Sequence, residues 1–156
     1  MIYRLINFKS FVDNRGSLVS LEYNKEIPFN IRRIYNLYNI ENGSERGFHA
    51  HINLKQILIC VSGSCLVTLD FVKNREEITL DSPSKGLLLD GLIWREIKNF
   101  SPNCVLTVIA SDFYNEKDYI RSYDDYVEKF NHKLERKYKN NKKTNFLKII
   151  LLEFAF

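Results

Sequence analysis

The chain has 156 residues, 45% of them hydrophobic and 13% aromatic, with a formal net charge of +4. That length suits one domain with a sizeable core, and the composition excludes a disordered protein. Residues 132–156 hold seven Lys or Arg and two acids, which leaves the other 131 residues at −1. The basic balance belongs to the C-terminal end and gives no reason to expect that the body binds nucleic acid. No apolar run reaches the ~18 residues that cross a bilayer, and Met1-Ile2-Tyr3-Arg4 does not open a signal peptide. A cytoplasmic protein without a membrane partner is expected. Cys60, Cys65 and Cys104 are odd in number, make no CxxC pair and lie in apolar runs, so buried free thiols are expected.

Short β-rich segments then follow one another. Arg4 to Phe8 is apolar enough for a strand, and Asp13-Asn14-Arg15-Gly16 turns into a second, Ser17 to Glu22. Ile31 to Tyr38 alternates, with Ile31, Arg33, Tyr35 and Leu37 on one face. Asn42-Gly43-Ser44 is a turn, and Arg46 to His51 follows as a strand. Gln56 to Val61 is nearly all apolar, as expected of a strand buried on both faces. Gly63-Ser64 has the Gly-X pattern of a tight hairpin, with Leu66 to Phe71 as its return strand. Ile78 to Leu80, Gly86 to Leu89, Ile93 to Ile97 and Val105 to Ala110 complete the series. About ten strands at this spacing indicate an all-β sandwich or barrel. Helix is expected only over Glu116 to Tyr123 and Asp124 to Tyr138. The basic, Asn-rich stretch Lys137 to Lys143 reads as mobile, and Leu147 to Phe156 as a packed strand or dimer contact. The expected division is a domain over 1–135 and a tail over 136–156.

Chemistry concentrates in Arg46-Gly47-Phe48-His49-Ala50-His51. In a strand, His49 and His51 share a face about 6–7 Å apart, with Phe48 and Ala50 on the other. Two such imidazoles can bind a metal or move protons near neutral pH, and a nearby arginine can hold a phosphate. The pair resembles the cupin metal site, in which a later Glu and a His on another strand complete the ligands. Here the positions after the pair offer Lys55 and Gln56, Gly86 to Trp94 has no His, and His132 falls in the expected terminal helix. Catalytic zinc usually takes three protein ligands, so no metal and no cofactor are expected. Burying two imidazoles side by side is costly unless something uses them, which favours a proton-transfer role.

Arg46-Gly47-Phe48-His49 resembles the RGxH segment of the RmlC-like cupins that act on dTDP-sugars, and Asp13-Asn14-Arg15-Gly16 their N-terminal DxRG turn. The chain is identified as a member of the WxcM-like subgroup, the dTDP-4-keto-6-deoxyhexose 3,4-ketoisomerases. The marks are Arg46 to His51, Val61-Ser62-Gly63-Ser64-Cys65, Leu80-Asp81-Ser82-Pro83, Ile93-Trp94-Arg95-Glu96, Phe100-Ser101-Pro102 and Asp118-Tyr119-Ile120-Arg121. Asp90-Gly91, where the family often has prolines, and the tail depart from it.

The resemblance implies an all-β cupin, a jelly-roll β-barrel with C-terminal helices. It implies an isomerase that moves a carbonyl from C4 to C3 of a dTDP-linked 4-keto-6-deoxyhexose through an enediol. His49 is then the base, His51 moves protons between the oxygens or to C4, and Tyr35 donates to the developing oxyanion. Arg46 is the first pyrophosphate ligand, with Arg15 and Arg95 next, while Gln56 binds substrate or holds His51. Trp94 reads as core, and Arg32 and Arg33 as surface ion pairs. The resemblance also implies a homodimer that exchanges N-terminal strands, so that Arg15 completes the neighbour's site. The alternatives are a 3,5-epimerase of the same substrate and a non-catalytic nucleotide-sugar-binding cupin. The related epimerases lack a second His in HxH, so His51 argues for ketoisomerisation.

Overall fold

The computed structural model describes residues 2–153. In chain order the strands are β1 (Ile2–Asn7), β2 (Ser10–Asp13), β3 (Gly16–Val19), β4 (Arg33–Leu37), β5 (Arg46–His51), β6 (Lys55–Ser62), β7 (Cys65–Asp70), β8 (Arg75–Leu80), β9 (Lys85–Asp90), β10 (Trp94–Lys98), β11 (Val105–Ala110) and β12 (Tyr119–Ile120). Two antiparallel sheets of five strands result, in the orders β1-β9-β6-β11-β4 and β12-β5-β10-β7-β8, while β2 and β3 form a separate hairpin. Period-2 alternation aims Leu58, Val67, Leu69, Leu87, Leu89 and Leu106 into the space between the sheets. The outer face of the first sheet is covered too: Ile57, Ile59 and Ile109 pack on Phe8, Ile27 and Phe29. Strand β6 is therefore buried on both faces, as its composition indicates. The double-sheet cupin architecture matches the expectation, and the three cysteines are free and buried.

The outer face of the second sheet carries the helix. Ala50, Trp94 and Ile120 meet Tyr126 and Phe130 of α1 (Tyr123–Glu153). Trp94 is thus core. The Ser122 hydroxyl accepts from the Asp125 amide at 3.2 Å and caps the helix start. Among the described residues no helix is long and apolar enough to cross a membrane.

Three expectations need correction. Gly63-Ser64 is not a hairpin, because β6 and β7 belong to different sheets. It is a corner stapled to the turn before β11: the Ser64 amide donates to the Ser101 hydroxyl and the Ser101 amide to the Ser64 carbonyl, both at 2.9 Å. Gly63 has φ +68° and a side chain there would collide with Ser101, so the glycine serves close approach rather than a two-residue turn.

The expected helix over Glu116 to Tyr123 is instead a single 3-10 turn, Glu116–Asp118, followed by β12. Pairing of Tyr119 with His51 and Ile120 with Ala50 captures this segment for the sheet. The C-terminal stretch through Glu153 is one continuous helix, neither a loop nor a strand. Docking of Tyr126 and Phe130 supplies the nucleus, and the sequence beyond Pro102 has no Gly or Pro to stop propagation. Phe154, Ala155 and Phe156, the end of the expected apolar strand, lie outside the described residues.

The helix docks through few side chains, so its anchor is testable. Phe130→Ala should cost about 3 kcal/mol in urea unfolding, the usual range for a buried Phe→Ala. A loss below about 0.5 kcal/mol would show that the helix is not part of the cooperative unit.

Candidate active site

The site is organised by an irregularity in β5. Arg95 pairs with His49 and Glu96 with Gly47, so Phe48 has no partner on β10 and forms a β-bulge. Gly47 and Phe48 have φ of +91° and +54°. A Cβ on Gly47 would stand 2.6 Å from the Arg95 carbonyl oxygen, so only glycine fits. The bulge throws Phe48 into solvent and shifts the side-chain alternation by one residue. Arg46, paired with Ile97, thereby falls on the same face as His49, paired with Arg95. Without the bulge it would face the other way.

His49 and His51 point to one side, as expected, with ring centroids 4.9 Å apart and planes nearly perpendicular. The Nδ1–H of His49 donates to the Gly47 carbonyl at 2.9 Å. His51 is fully buried, and its Nδ1–H donates to the Asp118 carboxylate at 3.1 Å. Asp118 also accepts from the amides of Asn53 and Leu54 at 2.9 and 3.3 Å. Each imidazole thus spends Nδ1 on a protein oxygen and keeps Nε2 as a lone pair; that of His51 is buried without a partner. Among the described residues no third imidazole, thiolate or carboxylate joins them as a ligand set. Burial, helped by the nearby Arg95 charge, pushes His49 down to about 4 and His51 to about 2. Both rings are neutral at physiological pH.

Arg95 is buried beside them, with Nη1 at 3.4 Å from the His49 carbonyl and with Nε and Nη2 unpartnered. Burial lowers it to about 10, so it stays charged. Tyr35 accepts from the Gln56 amide at 2.9 Å, and burial raises its pKa, which leaves a neutral O–H free to donate. Gln56 therefore holds Tyr35 and not His51. Tyr119 closes the cluster, its ring 5.0 Å from His49 and 4.2 Å from His51, with the Arg121 guanidinium 4.5 Å from its centroid. A hollow of about 170 Å³ beside His51 is lined by Arg33, Ser111, Asn115, Asp118 and Tyr119. A larger one of about 630 Å³ lies under the helix, between Leu92 and His132, and holds none of these groups.

The structure thus brings His49, His51, Tyr35, Gln56 and Arg95 together. Arg46 lies at the exposed end of β5, where it donates to the Glu45 carbonyl at 3.4 Å. Arg15 is not brought in: it sits on the β2–β3 hairpin and pairs with Asp13 at 2.5 Å. Arg33 departs from the expected surface ion pair. Its Nε is buried without a partner and its guanidinium lies 4.9 Å from the Tyr35 ring centroid. Arg32 lies over Phe113 instead of pairing with a carboxylate. Asp118 and Tyr119 escaped prediction as functional groups, although Asp118-Tyr119-Ile120-Arg121 was visible as a motif; nothing local in it says that it pairs with the histidine strand.

A double-sheet barrel that gathers two neutral imidazoles, a tyrosine and a buried arginine at one end has the architecture of a cupin. The family model described as FdtA, WxcM-like, C-terminal matches residues 1–131. The chain is 50% identical over 131 residues, 82% of its length and 94% of the relative's, to the TDP-4-oxo-6-deoxy-alpha-D-glucose-3,4-oxoisomerase of Aneurinibacillus thermoaerophilus. It is similar to a 3,4-ketoisomerase from Helicobacter canadensis, with a TM-score of 0.81, 47% identity, and coverage of 84% of this chain and 98% of the other. It is also similar to a sugar 3,4-ketoisomerase from Thermoanaerobacterium thermosaccharolyticum solved with TDP, with a TM-score of 0.82, 40% identity, and coverage of 84% and 96%. The chain belongs to the FdtA, WxcM-like family.

The electrostatics make a direct prediction. A His whose folded pKa is depressed binds its proton later than it does unfolded, so stability is lost as pH falls from about 6.5 towards about 4. Nitrogen-detected NMR should show His49 and His51 as Nδ1–H tautomers that take up no proton between about pH 8 and pH 5. A ring of this pair titrating near its ordinary 6.5 would contradict the buried, arginine-flanked site.

Proposed function

We propose that the chain converts a dTDP-linked 4-keto-6-deoxyhexose into its 3-keto isomer, with His49 as base, His51 as proton shuttle and Tyr35 as oxyanion donor. That it is a sugar 3,4-ketoisomerase follows from its relatives; the assignment of residues rests on the site. The observation that carries it is the pair of neutral imidazoles, each with Nδ1 fixed and Nε2 unprotonated, beside a charged arginine.

The C4 ketone acidifies the C3 hydrogen. Nε2 of His49 takes that proton, and the electron pair moves to the C4 oxygen. Tyr35 and Arg95 stabilise the charge there, and protonation of the oxygen gives an enediol. Loss of the C3 hydroxyl proton and delivery of a proton to C4 then give the 3-ketone. His51 serves this second half. Its imidazolium would be held by the Asp118 carboxylate, as a carboxylate supports the histidine of a hydrolase triad. Two charged rings this close repel, so the pair works with one extra proton at a time. A His-to-Asn variant of the Thermoanaerobacterium relative was solved in complex with TDP-4-keto-6-deoxyglucose.

The hollow beside His51, about 170 Å³, is too small for a whole nucleotide sugar, and Arg46, exposed on the same face of β5 as His49, would meet the diphosphate outside it. His49→Asn should lower kcat by at least about 10² with little change in KM. In deuterium oxide the native protein should place deuterium at C4 of a 3-keto product. Full turnover by the variant would remove the base from His49, and label at C5 would point to epimerisation.

The functional unit is inferred to be a homodimer. Phe11, Val12 and Leu18 of the β2–β3 hairpin are exposed, and that hairpin pairs with neither sheet. An apolar, unpaired hairpin carrying Arg15 suits exchange with a second copy, whose site Arg15 would complete. Mixing Arg15→Ala and His49→Asn proteins should then restore turnover that neither has alone, through mixed dimers with one intact site. Restoration absent despite confirmed subunit exchange would place Arg15 outside the partner's site.

A further inference from the structure

The three cysteines are far apart in sequence yet converge. The Sγ atoms of Cys60, Cys65 and Cys104 lie within 4.8 Å of one another, and Cys60 and Cys104 are 3.6 Å apart. All are buried in the core between the sheets. Cys60 ends the inward row of β6 that begins at Gln56, four residues or about 13 Å away, so the cluster sits at the opposite end of the barrel from the imidazoles. It lies at the seam between the layers: Cys60 belongs to the first sheet, Cys65 to the second, and Cys104 directly precedes β11 of the first. The corner at Val61, Ser62 and Gly63 above it is exposed.

A soft ion with bonds to sulfur of about 2.3 Å holds its sulfurs about 3.8–4 Å apart, within reach of this arrangement. Zinc fits poorly. It takes four ligands in a structural site, and among the described residues no imidazole or carboxylate joins the group. Three thiolates with a divalent ion would also leave a net negative charge in an apolar core. A trivalent, three-coordinate element avoids both problems.

We infer that Cys60, Cys65 and Cys104 form a trithiol site for trivalent arsenic, taken up as neutral arsenous acid. In the exchange three As–S bonds replace three As–OH bonds. Each hydroxide leaves as water with one thiol proton, and nothing is oxidised or reduced. The product carries no charge, which suits the core. Burial pushes the Cys60 thiol up to about 12 and raises that of Cys65 further, so these two thiols are protonated and uptake is slow, limited by opening of the Gly63 corner. Once bound, arsenic ties both sheets together without touching the imidazoles.

The test is incubation of the reduced, full-length protein with sodium arsenite. One arsenic per chain is expected by mass spectrometry, with Cys60, Cys65 and Cys104 all protected from alkylation in denaturant. The thermal midpoint should rise while turnover stays unchanged. Cys65→Ser and Cys104→Ser should each weaken uptake by at least about tenfold. Where a serine variant fails to fold, peptide mapping of the blocked thiols in the native protein decides the matter. No adduct, an adduct that spares any of the three thiols, tighter binding of zinc, or loss of turnover in step with uptake would each overturn the assignment.

Discussion

The site depends on the burial of one charge. Arg95 lies almost wholly inside the barrel with two guanidinium nitrogens unpartnered, a costly arrangement in an apolar surrounding. Its position follows from strand alternation: on β10 it shares the inward face with Ile97, while Trp94 faces out to the helix. The layer made by Trp94, Tyr126 and Phe130 closes the second sheet from outside, so the guanidinium finds no water behind it. That dry, positive setting pulls both imidazoles below their ordinary range. In the proposed reaction it would also offer N–H groups to the oxygen that becomes negative, which is where preorganised donors act most strongly. The same residue disfavours a resting imidazolium and, in the proposed reaction, would favour the enolate.

A second constraint is geometric. Strict alternation would set Arg46 and His49 on opposite faces of β5. The bulge at Phe48 reverses the order on one side only, so both residues face the site while the pair His49 and His51 keeps its common face. The glycine before the histidines is part of that device, because its φ and its contact with the Arg95 backbone admit no side chain. The RGxH spacing is thus a description of a bulge, with the arginine and the histidine at its two ends.

Much of the fold was legible because period-2 patterning is local. Strands β4 to β11 lie close to where alternation and turn residues put them, and β6 announced its two buried faces. Pairing was not legible. Gly63-Ser64 has hairpin chemistry, yet Ser101 bonds the corner from a distant turn, and no local signal tells a hairpin from a corner between sheets. The segment at Tyr119 has helical composition but is captured by an edge of the second sheet. That capture is also why Asp118 was missed: its carboxylate reaches His51 across 67 positions of sequence. The paired imidazoles were legible because two like-facing side chains on one strand need no tertiary knowledge. Their tautomers were not, since these depend on Gly47 and Asp118 oxygens that only the folded chain supplies.

The single origin of the two histidines bears on the stereochemistry of the proposed reaction. C3 and C4 of the sugar are bonded neighbours, and the two rings project from one face of one strand, 4.9 Å apart. A base that removes the C3 hydrogen and a shuttle that serves C4 therefore approach the hexose from the same side, unless the ring turns over between steps. Tyr35 and Tyr119 stand on different strands and offer phenolic hydroxyls beside the pair. Whether C4 receives its proton from the histidine side or from a tyrosine side then sets the configuration of the product. In the proposed reaction that choice rests with the few side chains around the imidazoles, so neither the barrel nor the proton-transfer pair need be rebuilt to change it.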